Sequence, residues 1–231
     1  KVDESAAAIG GINTIVTRNG ELHGYNTDYY GVTQSFVDAK IDVANKNCVV
    51  IGAGGAAKAA IYGMQQAGAQ VTVVNRTEAK ARKIAKRFAC KFSSVENLAQ
   101  LLESTHIVIS ALPQNINLID KTWLKPEHIV FDANYKGSLL IPLAREKHCH
   151  IVSANDWLLN QAIMAYKIFT GEEADKEIMR SGFVQKPLGE LTHTISTIGL
   201  MGAGKTSHGR ILAQKLNYEF KDIDDAIVEK Q

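Results

Sequence analysis

The sequence predicts an α/β fold built on a doubly wound parallel sheet, followed by the first strand and helix of a second nucleotide-binding unit. Three observations predict it. From Asn47 onward, short β-branched runs alternate with patterns of helical period. A glycine-rich turn, GAGGAA from Gly52 to Ala57, follows the first run, and another, GLMGAGKT from Gly199 to Thr206, follows a late one. Parallel strands require crossovers, and helices supply them while covering both faces of the sheet.

INTIVTRNGELHGYN holds Asn19-Gly20 between two strand-like runs, a hairpin signal, and YYGVTQSFVDAK is a helix leading into the sheet. Then come the strand CVVIG, the helix AAKAAIYGMQQAG, the strand VTVVN, the helices EAKARKIAKRF and ENLAQLLES, and the strand HIVISA. HIVFDAN and HIVSA are strands around the helix SLLIPLAREK, and DWLLNQAIMAYKIFTG is a long helix. In that helix Met164, Tyr166 and Phe169 are expected to pack on the sheet. SGFVQKPLGELTH, Ser181 to His193, breaks the pattern as a linker, and the strand TISTIGL follows.

Composition bounds the partners. With 231 residues, 45% hydrophobic and 22% charged, the chain can bury a core, as one large domain or one domain with part of another. A net charge of +2 without a basic run gives no support to a nucleic-acid or anionic-membrane partner. There is no apolar stretch of about 18 residues and no signal-peptide layout, so no membrane partner is expected. Cys48, Cys90 and Cys149 are odd in number and lack a CxxC, which suggests neither a disulfide framework nor zinc and fits a reducing cytoplasm. The seven histidines show no metal-ligand spacing and read as surface or strand-end residues. The chain lacks a starting Met and stops within the amphipathic pattern DDAIVEKQ, so a fragment at both ends is expected.

The glycine turn is the first chemical signal. Gly52 permits a tight turn, Gly54 lets backbone approach a pyrophosphate, and Ala57 sits where a small residue lets helix pack on strand. Gly52, Ala53, Gly54, Gly55 and Ala56 are therefore candidate cofactor contacts at a helix N-terminus. A dinucleotide fold of this spacing usually carries Asp or Glu about 20 residues on, to accept from the ribose hydroxyls. Here Asn75, Arg76 and Thr77 stand there, with Lys80 one helical turn later. A guanidinium matches phosphate oxygens, so the expected cofactor is NADP rather than NAD; solvated helix-start charges are the alternative. The second turn has the spacing of a phosphate-cradling loop, with Gly202, Ala203, Gly204, Lys205 and Thr206 as candidate ATP contacts and Thr206 a candidate magnesium ligand.

GINTIV, GYNTD, GAGGAA, VVNRT and LLNQA, in this order, resemble shikimate dehydrogenase from about Val2 to Gly171. The resemblance implies a Rossmann-like NADP(H) domain and reduction of 3-dehydroshikimate to shikimate in chorismate biosynthesis, with Asp28 the acid/base residue. It places Asn13, Asp28, Tyr135 and Gln161 in the substrate pocket and Ala133 at the cofactor. The family pairs its Asp with a Lys in an N-terminal lobe upstream of this sequence, so cofactor binding with little turnover is expected. ISALPQN and ANDWLLNQ depart from the family pattern at the nicotinamide end.

TIGLMGAGKTSHGRILAQKLNYEFKDIDD resembles the start of shikimate kinase, which implies ATP and Mg2+ as cofactors and puts Asp222 near the magnesium, with Asp224 completing the motif. An acidic helix cap is the alternative for these aspartates. The implied division is a remnant of the substrate lobe and its connecting helix at 1–40, an NADP-binding domain at 41–180, a linker at 181–193 and a truncated kinase-like segment at 194–231. A bifunctional dehydrogenase and kinase sharing one small-molecule substrate follows. A quinate-using relative, glutamyl-tRNA reductase or a non-catalytic nucleotide-binding module are the alternatives, and the oligomeric state is not legible.

Overall fold

The structure, a computed structural model, describes residues 1–182 and 205–216, in two compact units, Lys1–Met179 and Arg180–Gln231. In the first unit, helix α1 (Glu4–Ile9) starts at Asp3, whose carboxylate accepts from the Ser5 and Ala6 N–H groups. A hairpin follows, β1 (Thr14–Arg18) against β2 (Glu21–Tyr25), turning at Asn19 and Gly20 with φ of 53° and 79°. Two successive positive φ values are what a twist-matched two-residue hairpin turn requires. Helix α2 (Asp28–Asp38) then leads to the sheet, as expected.

The alternation resolves into β3 (Asn47–Ile51), α3 (Gly55–Gln66), β4 (Gln70–Val74), α4 (Glu78–Phe88), β5 (Lys91–Ser93), α5 (Leu98–Leu102) and β6 (Ile107–Ser110). It continues with β7 (Ile129–Asp132), α6 (Leu140–Glu146), β8 (His150–Val152), α7 (Ala154–Thr170) and α8 (Lys176–Ser181). All six strands from β3 to β8 are parallel, in the order β5-β4-β3-β6-β7-β8. Chain direction across the sheet reverses between β3 and β6, which opens a crevice at their carboxyl ends.

Both faces of the sheet are covered, which explains the continuous apolar runs. Alternate residues of β3 divide between them. Cys48 and Val50 join Phe36, Ile61, Met64 and Trp157, while Val49 and Ile51 join Leu98, Leu102 and Leu140. At about 25 cal/mol per Å² of apolar surface, burying each such side chain stabilises by roughly 1.5–3 kcal/mol.

Sequence and structure differ at three points. Strand β5 carries no apolar run and escapes sequence reading, because a three-residue edge strand has only one neighbour and Lys91 is exposed. In α7, Phe169 is 61% and Tyr166 37% exposed. Ile168 takes the inward position there, and at about 100° per residue its neighbours turn away. His128 stands at a strand end, next to Ile129 of β7, and is buried there. Its Nδ1 accepts from the Lys125 N–H at 3.1 Å and its Nε2 donates to the Leu102 carbonyl at 3.1 Å.

In the second unit the helix after the Lys-Thr turn is present as α9 (Lys205–Leu216). The linker beyond residue 182, the TISTIGL strand, Gly202, Ala203, Gly204, Asp222 and Asp224 lie outside the described residues, as do the side chains of Lys205 and Thr206.

His128 gives the fold a pH dependence. Burial pushes its imidazole below the usual value near 6.5, so the unfolded chain takes up a proton the native state refuses. Its contribution is complete above pH 6.5 and is lost as pH falls toward the depressed value, with a slope of at most about 1.4 kcal/mol per unit. His128→Asn should cost about 1–3 kcal/mol at pH 7, by leaving one backbone group unsatisfied, and should flatten that slope in denaturant titrations at several pH values. An unchanged slope would assign it to another group.

Candidate functional site

The crevice is built by one close approach. Gly52 has φ of 131°, and a Cβ there would lie 2.7 Å from the Ala111 carbonyl oxygen. Gly52 N–H donates to Val74 O and Ala111 N–H to Ile51 O, both at 2.8 Å, so the ladder runs past the strands and gathers the ends of β3, β4 and β6. A cavity of about 500 Å³ lies over them. The turn from Gly52 to Ala56 forms one wall, Asn75, Arg76, Thr77 and Lys80 a second, and Ala111 to Pro113 with Ile116 and Leu118 a third.

Two features suit that cavity to an anion. A Cβ on Gly54 or Gly55 would meet nothing within 4 Å, and the first turn of α3 carries no acidic residue. The N–H groups and positive dipole end of α3 thus lie beside open space. Arg76 and Lys80 are exposed and form no ion pair among the described residues. Glu78, the acidic residue in the first turn of α4, is engaged by Arg82 at 2.8 Å. Asn75 Nδ2 donates to the Thr77 carbonyl at 3.0 Å and ties the turn, while Thr77 itself makes no side-chain capping bond. The residues present therefore fit a phosphorylated dinucleotide.

A second group gathers at the start of α2. Asn13 Oδ1 accepts the Thr27 N–H at 2.9 Å and its Nδ2 donates to Thr27 Oγ1 at 3.1 Å. Asn26, buried and not singled out from sequence, accepts the Asp28 N–H and donates to the Gly11 carbonyl, both at 3.1 Å. The two asparagines thus lock GINTIV to GYNTD. Burial pushes the Asp28 carboxyl above the usual carboxylate range, against a smaller downward pull from the Asn13 side chain.

Helix α7 closes this group. Trp157 Nε1 donates to the Asp28 carbonyl at 3.1 Å. A Cβ on Gly31 would lie 2.7 Å from Trp157 Cδ1 and 3.1 Å from Gln161 Cβ, so α2 and α7 touch where only glycine fits. Gln161 is part of that contact, and Asp28 lies about one turn from Gly31 along α2. Trp157 was visible in ANDWLLNQ as a departure, but its indole bond joins residues 129 positions apart and no local pattern announces it. Ala133 N–H donates to Ser110 O at 2.8 Å at the end of β7. Tyr135 is 49% exposed beyond it, with Lys136 Nζ 5.6 Å from its ring centre, and shares no hydrogen bond with Asn13, Asp28 or Gln161.

Comparison with known proteins is consistent with this geometry. Residues 34–144 match the family model described as shikimate / quinate 5-dehydrogenase, and residues 201–231 match that of shikimate kinase. The chain is 34% identical over 179 residues to the shikimate dehydrogenase (NADP(+)) of Aquifex aeolicus, covering 74% of this chain and 65% of that one. It is 35% identical over 186 residues to that of Pyrococcus furiosus, covering 78% and 68%. The crystal structure of the Aquifex aeolicus shikimate dehydrogenase superposes with a TM-score of 0.74 at 30% identity, over 80% of this chain and 70% of that one. A shikimate dehydrogenase crystallised with NADP+ superposes at 0.72 and 29% identity, over 78% and 68%. This chain spans about two thirds of the length of the curated relatives it matches, at 65% and 68%. With a parallel sheet of reversed winding, a glycine turn over an open crevice and relatives of this coverage, the chain belongs to the shikimate dehydrogenase family.

Proposed function

We propose that the chain carries the NADP(H)-binding part of a shikimate dehydrogenase, whose reaction is the NADPH-dependent reduction of 3-dehydroshikimate to shikimate. The observation that carries this reading is the cation pair Arg76 and Lys80 at the end of β4, without an ion-pair partner among the described residues, where a carboxylate would serve an unphosphorylated ribose. Curated relatives named for NADP(+) and a relative crystallised with NADP+ support the same cofactor.

When bound, the cofactor supplies the hydride. The glycine turn and the start of α3 receive the pyrophosphate, and Arg76 offers a planar fork to the 2′-phosphate with Lys80 beside it. The loop after β6 sets an apolar wall of Leu112, Ile116 and Leu118 against water. Asp28, raised by burial, is poised to hold or move a proton at a substrate oxygen. Asn13 and Gln161 offer amide groups to substrate hydroxyls, and Tyr135 borders the same end of the sheet.

The division into a substrate-lobe segment at 1–40 and a nucleotide domain at 41–180 belongs to this reading. So does the assignment of 194–231 as the opening of a shikimate kinase-like unit, with ATP on Gly202 to Thr206 and Mg2+ at Thr206 and Asp222. The family match over 201–231 supports it. Among the described residues no helix is long and apolar enough to cross a membrane. A cytoplasmic location belongs to the same reading and rests on the cysteine usage, three residues without a CxxC.

Two measurements test the reading. Arg76→Ala should weaken NADPH binding about 10- to 100-fold in a fluorescence titration, the scale of a lost charge-assisted hydrogen bond, and leave NADH binding within about two-fold. Equal loss for both cofactors would remove the 2′-phosphate assignment. Asp28→Asn should stabilise the protein at pH 7. A carboxyl raised in the native state contributes stability below its unfolded value and loses it as pH rises through the folded one, so the difference should vanish in acid. Denaturant midpoints that differ equally at pH 3.5 and pH 7 would contradict it.

A further inference from the structure

The loops after β6 and β7 are joined by side-chain amides that the function above does not use. Asn134 Nδ2, in the loop after β7, donates to the Leu112 carbonyl in the loop after β6 at 3.1 Å. In return Gln114, from the loop after β6, donates to the Lys136 carbonyl. Each loop thus sends one amide to the other's backbone. Gly137 completes the fit, with φ of 78° and no room for a Cβ beside the Gln114 amide.

The Asn134 side of this latch is anchored from below. Asp132, at the end of β7, is only 2% exposed. Its Oδ1 accepts the Asn134 N–H at 3.1 Å and the Asn134 Nδ2 at 2.9 Å, while its Oδ2 accepts the Ser138 hydroxyl. Ser138 Oγ accepts in turn from the N–H groups of Leu140 and Ile141, at 3.1 and 2.9 Å, at the start of α6. A buried carboxylate therefore fixes the Asn134 amide in one orientation, with its remaining hydrogen aimed at Leu112. A chain of hydrogen bonds thus runs from the start of α6 to the loop after β6.

Strand order says what rests on that loop. The ends of β4, β3, β6 and β7 stand side by side, carrying Arg76, the glycine turn, Leu112 and Ala133 respectively. Neighbouring strands are about 4.8 Å apart, so the row from β4 to β7 spans about 14 Å, on the scale of an extended dinucleotide. With the 2′-phosphate over β4 and the pyrophosphate over β3, the remaining half lies over β6 and β7. We propose that Asn134, with Gln114 as its reciprocal partner, is a positioning residue for the nicotinamide half of the cofactor, acting through the Leu112 loop. This rests on the dinucleotide reading of the crevice.

The test uses the full chain and two probes, NADPH and adenosine 2′,5′-bisphosphate, which is the cofactor without its nicotinamide half. Asn134→Leu keeps the number and branching of side-chain heavy atoms and removes the donor; Gln114→Ala removes the exposed reciprocal donor without touching the core. Each should weaken NADPH about three- to ten-fold, the scale of one neutral hydrogen bond, and leave the bisphosphate within about two-fold. Unchanged NADPH affinity in both variants overturns the proposal, and so does a parallel loss for both probes, which would mark a general structural role. If Asn134→Leu binds neither probe because it misfolds, Gln114→Ala decides by the same criterion. A parent protein that binds neither probe sinks the dinucleotide reading itself, whereas a parent that binds both with insensitive variants sinks only the latch.

Discussion

The close contact between Gly52 and the Ala111 carbonyl is the constraint on which the site depends. Only a residue without Cβ turns at φ of 131° with a backbone oxygen 2.7 Å from where that carbon would be. Because the turn is that tight, α3 starts directly over the end of β3 with its N–H groups facing the crevice. Because the β6 backbone comes that close, its loop becomes the opposite wall. The cations at the end of β4 then fall at the remaining side of the same cavity. None of these positions is set by the ligand; each follows from strand order and one glycine.

Helix α4 couples this cavity to the N-terminal segment. Its start presents Lys80 beside Arg76, and near its end Arg87 donates through Nε to Ala8 O and through Nη2 to Ala7 O, both at 2.8 Å. Those are carbonyls of α1, whose last turn is a natural place for a cation. Gly10, at φ of 70°, has no room for a Cβ beside the guanidinium. One helix therefore borders the cavity at one end and holds α1 at the other. Asp28 illustrates the opposing tendency, a carboxyl whose partial burial disfavours its charged form and so costs stability near neutral pH.

What the sequence revealed depended on the range of the interaction. The hairpin at Asn19-Gly20, the alternation from Asn47 and the glycine turn are local patterns, and the structure places each where the pattern says. The cation pair was legible for the same reason, since Arg76 and Lys80 stand at a fixed distance from the turn. Strand β5 was not, because an exposed edge segment of three residues needs no apolar face. His128 was not, because its burial is decided by Leu102 and Lys125, one of them on another element. Trp157 on Asp28 and Asn134 on Leu112 were invisible because they join loops and helices distant in sequence. Site residues that act through such contacts leave no spacing to read.

Arg76 and Lys80, which form no ion pair among the described residues, are proposed to receive the 2′-phosphate of the dinucleotide. A crystal structure of this chain grown with NADP+ tests it most directly. The expected result is phosphate oxygens within hydrogen-bonding distance of the Arg76 guanidinium and the Lys80 ammonium, with the pyrophosphate over Gly54 and Gly55. An adenosine end bound elsewhere, with both side chains still in solvent, would contradict it.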